Sequence, residues 1–175
     1  MVVNVYPHFS GAARKIRSGS SHLVVTDERS SFDQRVEPHQ SQDLKPMNQD
    51  IVNIIKAYEK SLNTSDTQAA LVLYGEDPVF MPEFSAALSG RDAVRAGYDQ
   101  VFGAIKLNVS FTIHEIVEMG DLAYVRTTSA GKTEVLKHKA TVREGNNELF
   151  IFRKEKGKWK IHRYLFASCN PLAAR

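Results

Sequence analysis

NNELFIFRKEKGKWKIHRYLF, Asn146–Phe166, has the sequence form of a β-hairpin. Two runs rich in aromatic and β-branched residues flank the polar tetrad Glu155-Lys156-Gly157-Lys158, whose central glycine suits a tight turn. Leu149 and Ile151 alternate with Glu148, Phe150 and Phe152. In the second run Trp159, Ile161 and Leu165 alternate with Lys160, His162, Tyr164 and Phe166. Both faces of each strand are therefore largely apolar, which calls for a helical layer on one face and a further cover on the other. Three charged side chains, Glu148, Arg153 and Arg163, are set into this fabric, and at least one of them is expected to point inward.

Upstream of the hairpin the chain reads as strand from Lys106 onward. Leu107 to Met119 is one strand, and its apolar positions change phase around Glu115, the mark of a bulge that bends a sheet. Gly120-Asp121 makes a turn and Leu122 to Ala130 returns; a weaker, charged strand is expected over Lys132 to Val142. Before the strands come three helices. Asn48 can cap a helix with the apolar face Ile51, Ile54, Ile55, Tyr58 and Leu62. Ser65 or Thr64 can cap a second, running to about Tyr74 and stopped by Gly75. Asp77-Pro78-Val79-Phe80-Met81-Pro82 is a short strand bracketed by prolines, hence an edge or a brief pairing. Ser89-Gly90-Arg91-Asp92 resembles a capping box and opens a third helix through Val94, Gly97, Tyr98, Val101 and Phe102. Three helices followed by antiparallel strands make an α+β fold. A strongly bent sheet of four to six strands wrapped against them is a cone, with a pocket between helices and sheet.

Residues 1–45 differ in kind. They are rich in Ser, His, Gln and Arg and lack helical periodicity, so a poorly ordered extension is expected, with one short strand at His22 to Thr26 as an option. The folded domain is placed at 46–175. Arg14, Lys15 and Arg17 among serines without an acid also resemble a mitochondrial presequence, though the amphipathicity is poor. The default expectation is the cytoplasm, mitochondrial import being the alternative.

Composition narrows the function. A chain of 175 residues with 42% hydrophobic content suits one core, and its net charge is only +3. Lys154, Lys156, Lys158 and Lys160 surround the hairpin turn as solvated charges, so no nucleic-acid partner is expected. Cys169 is the single cysteine, which rules out an intrachain disulfide and a cysteine-based metal site. No apolar run reaches the ~20 residues of a membrane helix. No phosphate-cradling loop, dinucleotide fingerprint or metal-ligand spacing is present, so neither cofactor nor metal is expected.

Four stretches carry a resemblance: Ala57-Tyr58 with Leu62-Asn63 and Asp66; Leu73-Tyr74 with Asp77 to Pro82; Leu88-Ser89-Gly90-Arg91-Asp92-Ala93-Val94-Arg95; and Asn147-Glu148-Leu149-Phe150 with Trp159-Lys160-Ile161 and Arg163-Tyr164. In this order they resemble the nuclear-transport-factor-2-like superfamily over about residues 48–170, and within it the SnoaL-like group of SgcJ/EcaC type. The resemblance implies the ketosteroid-isomerase-like, cystatin-like cone. It does not imply one chemistry, because the superfamily hosts isomerases, dehydratases, cyclases, epoxide hydrolases and non-catalytic binders. In the ketosteroid isomerase branch a tyrosine on the first helix donates to a developing oxyanion, and Tyr58 falls there. Where that branch has an aspartate base, this chain has Pro82. Relatives also dimerise through the outer sheet face, which implies a homodimer here.

The candidate site follows from these readings. Tyr58 is either a core tyrosine or a cavity donor. Arg126, in the alternation Leu122, Tyr124, Arg126, Thr128, is expected to pair with Glu148, as a structural ion pair or as a pair orienting a ligand, unless both are solvated. Arg163, in phase with Trp159 and Ile161, is expected to face the pocket and to favour a carboxylate, enolate or phenolate. Tyr58, Arg126, Glu148 and Arg163 are thus the catalytic candidates, with Glu148 as proton carrier. Phe80, Met81, Tyr98, Phe102, Phe111, Tyr124 and Leu165 are the substrate-binding candidates. His114 and His162 have no assigned partners. The expected function is a cofactor-independent isomerase, dehydratase or cyclase acting on a small, apolar, oxygenated molecule. The alternative is a non-catalytic binding or association module. A polar cluster deep in the cone would favour the enzyme, and a cone filled by its own aromatics the module.

Overall fold

Lys156 and Gly157 carry the chain through the hairpin turn with φ of 51° and 77°, the paired positive values of a two-residue type I′ loop. In the computed structural model, which describes residues 48–169, this turn joins the last two strands of a three-helix, six-strand domain. The order is α1 (Gln49–Asn63), α2 (Thr67–Leu73), β1 (Tyr74–Met81), β2 (Leu88–Ser89), α3 (Arg91–Ala104), β3 (Ile105–Met119), β4 (Leu122–Val135), β5 (Ala140–Glu155) and β6 (Lys158–Ser168). The extension expected over 1–45, its optional strand and the presequence reading lie outside the described residues.

The sheet order is β2-β1-β6-β5-β4-β3. The fold class stands, but the sheet is mixed: β1 runs parallel to β6, while every other pairing is antiparallel. Lys132 to Val142 is not a strand of its own. β4 continues to Val135, the chain turns through 136–139 with Lys139 at φ 50°, and β5 begins at Ala140.

Helix boundaries follow local chemistry. Asn48 caps α1 as expected, its Oδ1 accepting from Asp50 N at 3.1 Å and Ile51 N at 3.3 Å. For α2 the cap is Asp66, accepting from Ala69 N at 2.8 Å, because Ser65 is spent on a left-handed turn at φ 53°. That helix ends at Leu73, one residue early, and Tyr74 and Gly75 already belong to β1. The capping box expected at Ser89 does not form. Gly90 is the N-cap of α3 at φ 85° with no side-chain cap, and Ser89 is in β2.

All three helices lie on one face of the sheet, where Ile51, Ile55, Tyr58, Leu71, Val94 and Tyr98 meet Val125, Phe150, Phe152, Ile161 and Tyr164. α1 also covers the exposed edge of β3. Asn63 exchanges two 2.8 Å bonds with the backbone of Val109, and Glu59 accepts from Phe111 N at 2.7 Å. These satisfy edge groups that would otherwise template another strand.

Bulges in β3 and β6 bend the sheet and reset its side-chain phase. In β3 the register steps from Ile113↔Thr127 to Glu115↔Arg126, leaving His114 as the extra residue, which is the bulge expected near Glu115. In β6 it steps from Ile161↔Phe152 to Arg163↔Ile151, leaving His162 as the extra residue. Trp159 and Ile161 therefore face the helices, and beyond the bulge Tyr164 and Phe166 do so. Gly131 marks a close approach of β3 to β4, since an added Cβ would collide with Asn108 O and Val109 Cα.

Candidate functional site

The inward positions of β4 beside the helices are small or hydroxylic: Ala123, Val125, Thr127, Ser129, Gly131 and Thr133. On β5 they are Glu144, Asn146, Glu148, Phe150 and Phe152. The register sets Thr127 opposite Glu148, Ser129 opposite Asn146 and Gly131 opposite Glu144, so a polar ladder runs along the concave face. Against it the helices and neighbouring strands place Tyr58, Leu62, Phe80, Tyr98, Val101, Leu107, Val109 and Phe111, with Tyr164 and Phe166 from β6. Between them is a cavity with about 40 Å³ of free volume. Leu107, Phe111 and Glu144 are its partly exposed lining residues and form its mouth.

Glu148 is the buried carboxylate of this wall, 4% exposed. Ser129 Oγ donates to its Oε1 at 2.6 Å and Thr127 Oγ1 to its Oε2 at 3.0 Å. Asn146 Nδ2 in turn donates to Ser129 Oγ at 3.2 Å, which fixes the serine rotor. Burial pushes Glu148 up from 4.5 to about 7, the bonds from Ser129, Thr127 and Tyr164 holding it from rising further. The carboxyl therefore carries or releases a proton at neutral pH.

Behind it stands a chain of phenols. The Tyr58 and Tyr98 hydroxyls are 2.7 Å apart, and those of Tyr98 and Tyr74 2.8 Å. Tyr164 is a hydrogen-bonding neighbour of both Tyr58 and Glu148. Burial is the main reason why all four phenols titrate well above their ordinary range, so each remains a neutral donor. With Glu148 ionised, the hydroxyl protons align towards it through Tyr74, Tyr98, Tyr58 and Tyr164. Aromatic packing holds this chain in place. Phe150 stacks on Tyr164 at 4.3 Å between centroids, and Phe80 stacks on Tyr98 and Tyr164 at 5.2 and 5.4 Å.

The candidates separate accordingly. Tyr58, Glu148, Phe80, Tyr98 and Phe111 line the cavity. Arg126 does not, and its pairing with Glu148 is overturned. It opposes Leu149 on the outer face and bonds Glu115 at 2.7 Å, the two side chains 55% and 40% exposed. Arg163 is also excluded, because the His162 bulge turns it outward. Its guanidinium donates to Asp77 O at 2.6 Å and to the carbonyl of His162 at 2.8 Å. Met81, Tyr124 and Leu165 sit on the face opposite their inward neighbours Phe80, Val125 and Tyr164, and none lines the cavity. Phe102 packs against Tyr98 at 5.6 Å from outside the lining. His114 bonds Thr128 at 2.9 Å on the exposed side, and His162 contacts Arg163, so no histidine pair faces the cavity.

Tyr164, Ser129, Asn146, Glu144 and Tyr74 were not among the expected site residues. Asn146 and Tyr164 lie in the hairpin stretch itself, and their period-2 spacing with Glu148 and Phe166 was the available signal. Among the described residues no Lys, Arg or His lines the cavity, and no group of three or more metal-ligating side chains occurs. No helix is long and apolar enough to cross a membrane.

The model of the SnoaL-like domain family matches residues 55–162. No curated protein matches the chain. A solved ketosteroid isomerase-like protein from Erwinia carotovora atroseptica SCRI1043 is 28% identical, with a TM-score of 0.66 over 69% of this chain and 95% of that one. A conserved protein from Planctomyces limnophilus is 23% identical, with a TM-score of 0.61 over 69% and 95%. An NTF2-like protein with a cystatin-like fold from Novosphingobium aromaticivorans is 20% identical, with a TM-score of 0.59 over 71% and 83%. The last two likenesses concern the fold alone.

Proposed function

This chain belongs to the SnoaL-like domain family, and from that premise we propose that it is a cofactor-independent enzyme moving a proton on a small, neutral, oxygenated substrate. The observation that carries this is Glu148, a buried carboxyl on the cavity wall held near pH 7 and joined to a chain of neutral phenols.

In this reading the ionised Glu148 removes a proton from the carbon next to a substrate carbonyl. The carbonyl oxygen gains the negative charge as the enolate forms. Once protonated, Glu148 no longer demands three donors. Tyr164, with Tyr58 and Tyr98 behind it, is then released to donate to the substrate oxygen at the stage when that oxygen is charged. Return of the proton to a second carbon completes an isomerisation; departure of a β-hydroxyl as water, with the proton that Glu148 took, would make the same start a dehydration, and attack of the enolate carbon on a second carbonyl, whose oxygen takes that proton, a cyclisation. The tyrosines take the part first expected of Arg126 and Arg163. With no cation in the lining among the described residues, the cavity favours a neutral substrate rather than a carboxylate. Free space of about 40 Å³ holds only a few waters, so a substrate enters as Leu107 and Phe111 swing from the mouth.

The test is deuterium incorporation next to the carbonyl for a set of cyclic enones and hydroxyketones, followed by proton NMR. Glu148→Gln should lower exchange by about 10²–10⁴-fold without lowering the melting temperature by an equivalent amount. Undiminished exchange in the variant, or none above buffer with any compound, refutes the reading.

One observation favours the association reading. On the outer face Tyr124, Ile151 and Arg163 form one cross-strand row, and Arg126, Leu149 and Leu165 the next, with Leu122 and Leu165 exposed. A homodimer through these rows would cover them, and sedimentation of Leu165→Glu beside the native chain tests it. The two readings are compatible, since the cavity opens on the opposite face.

A further inference from the structure

The cavity has a second polar end, four residues along β5 from the first. Glu144 and Glu148 share the inward face of the strand, and Asn146 lies between them. At 3.3 Å per residue their backbones are about 13 Å apart. The two carboxylates live in different surroundings. Glu148 has Ser129 and Thr127 on its two oxygens, whereas Glu144 Oε2 is buried and has no hydrogen-bond partner. Thr133 Oγ1, on a residue with no exposure, is likewise without one. These are the unmet buried side-chain groups among the described residues, and they lie together, Thr133 being close enough to weigh on the Glu144 carboxyl. Cross-strand rows set Val109, Gly131 and Glu144 abreast, and Leu107, Thr133 and Val142 abreast, so the surroundings are largely apolar. Burial raises Glu144 above its ordinary value, the nearby Thr133 hydroxyl pulls it back in part, and Glu83 adds to the rise.

We propose that Glu144 is a recognition residue for the substrate, binding a hydroxyl carried at the end of the molecule remote from its carbonyl. The proposal rests on the cavity being a substrate site. A hydroxyl suits this end because it donates to the Glu144 carboxylate, the member of the pair that lines the cavity. An apolar cap there would leave the Glu144 oxygen unmet. The spacing sets the length: a two-ring scaffold with an oxygen at each end reaches from Glu148 to Glu144. Glu144 lies at the mouth, so this hydroxyl is the last group to enter and the one that closes the site behind the reacting carbonyl.

The experiment compares 2-naphthol with 2,6-naphthalenediol, binding each to the full chain and following naphthol fluorescence. The diol should bind about tenfold more tightly than the mono-ol. Glu144→Leu should abolish that preference, the two compounds then binding alike, and Glu144→Gln, which keeps an acceptor, should retain part of it. Glu148→Gln should leave that preference in place. Equal affinities in the native chain overturn the proposal, as does a preference that survives Glu144→Leu; in either case the cavity remains a small-molecule site. Binding of neither compound overturns the proposal together with the substrate-site reading on which it rests.

Discussion

Glu148 should make the folded chain less stable as pH rises, and the size of the effect can be worked out from its surroundings. Its carboxyl ordinarily titrates at 4.5 and here at about 7; at ~1.4 kcal/mol for each tenfold this amounts to about 3 kcal/mol. The sign follows from proton counts. Between these two values the folded chain holds a proton that the unfolded chain has released. Stability therefore falls as pH rises. The contribution is complete below the unfolded value of 4.5 and gone once pH has passed about 7. Glu148→Gln carries no titrating group at this position, so the difference between native and variant chains isolates Glu148 from every other carboxylate, Glu144 included.

The assay is urea unfolding of both chains at steps from about pH 4.5 to about 8.5, with stabilities from linear extrapolation. Relative to Glu148→Gln, the native chain should lose about 3 kcal/mol across that range, with most of the loss before pH 7.5. A difference that stays flat would mean that Glu148 is solvated or already ionised in the folded state. It would remove the basis for a proton carrier working at neutral pH.

Other substitutions read the same wall. Ser129→Ala deletes the 2.6 Å bond that holds Glu148 down, so the rising limb of exchange rate against pH should move to higher pH; an unmoved limb would deny Ser129 that role. Tyr98→Phe breaks two links of the phenol chain and should cost about 1–3 kcal/mol in urea unfolding, together with a loss of exchange activity. Gly131→Ala drives a methyl into the backbone of Asn108 and Val109 and should cost about 1–3 kcal/mol, an unchanged urea midpoint meaning that β3 gives way instead. Arg163→Ala, which removes contacts to Asp77 and His162 only on the outer side, should leave the pH profile of exchange unaltered.

Local signals in the sequence proved legible where one residue determines one event. Lys156-Gly157 specifies a turn that needs positive φ, Asn48 caps α1, and the apolar phase change near Glu115 corresponds to the register step at His114. The site was legible only in part, for two reasons. The bulge at His162 has no glycine and no break in hydrophobicity to betray it, so counting by twos from Ile161 carried Arg163 inward and Tyr164 outward, the reverse of their positions. In β4 the alternation of Leu122, Tyr124 and Arg126 was correct, but those larger side chains looked like the buried set. A sheet bent towards its helices leaves little room on the concave side, and Ala123, Thr127, Ser129 and Gly131 occupy it for that reason.

The same geometry explains why the catalytic candidates changed from arginines to phenols. Small residues on β4 open space above the strand, and only there can a carboxylate such as Glu148 be buried with two hydroxyls reaching it from across the ladder. An arginine in this space would hold Glu148 ionised well below neutral pH and leave nothing to titrate near pH 7. Four phenols that stay neutral supply donors without that penalty, because a hydroxyl lowers the carboxyl less than a full positive charge does. Burial, moderated by hydroxyl donors from Ser129, Thr127 and Tyr164 and with the arginines on the outer face, is therefore what keeps Glu148 at about 7, the value at which one group can both take and return a proton.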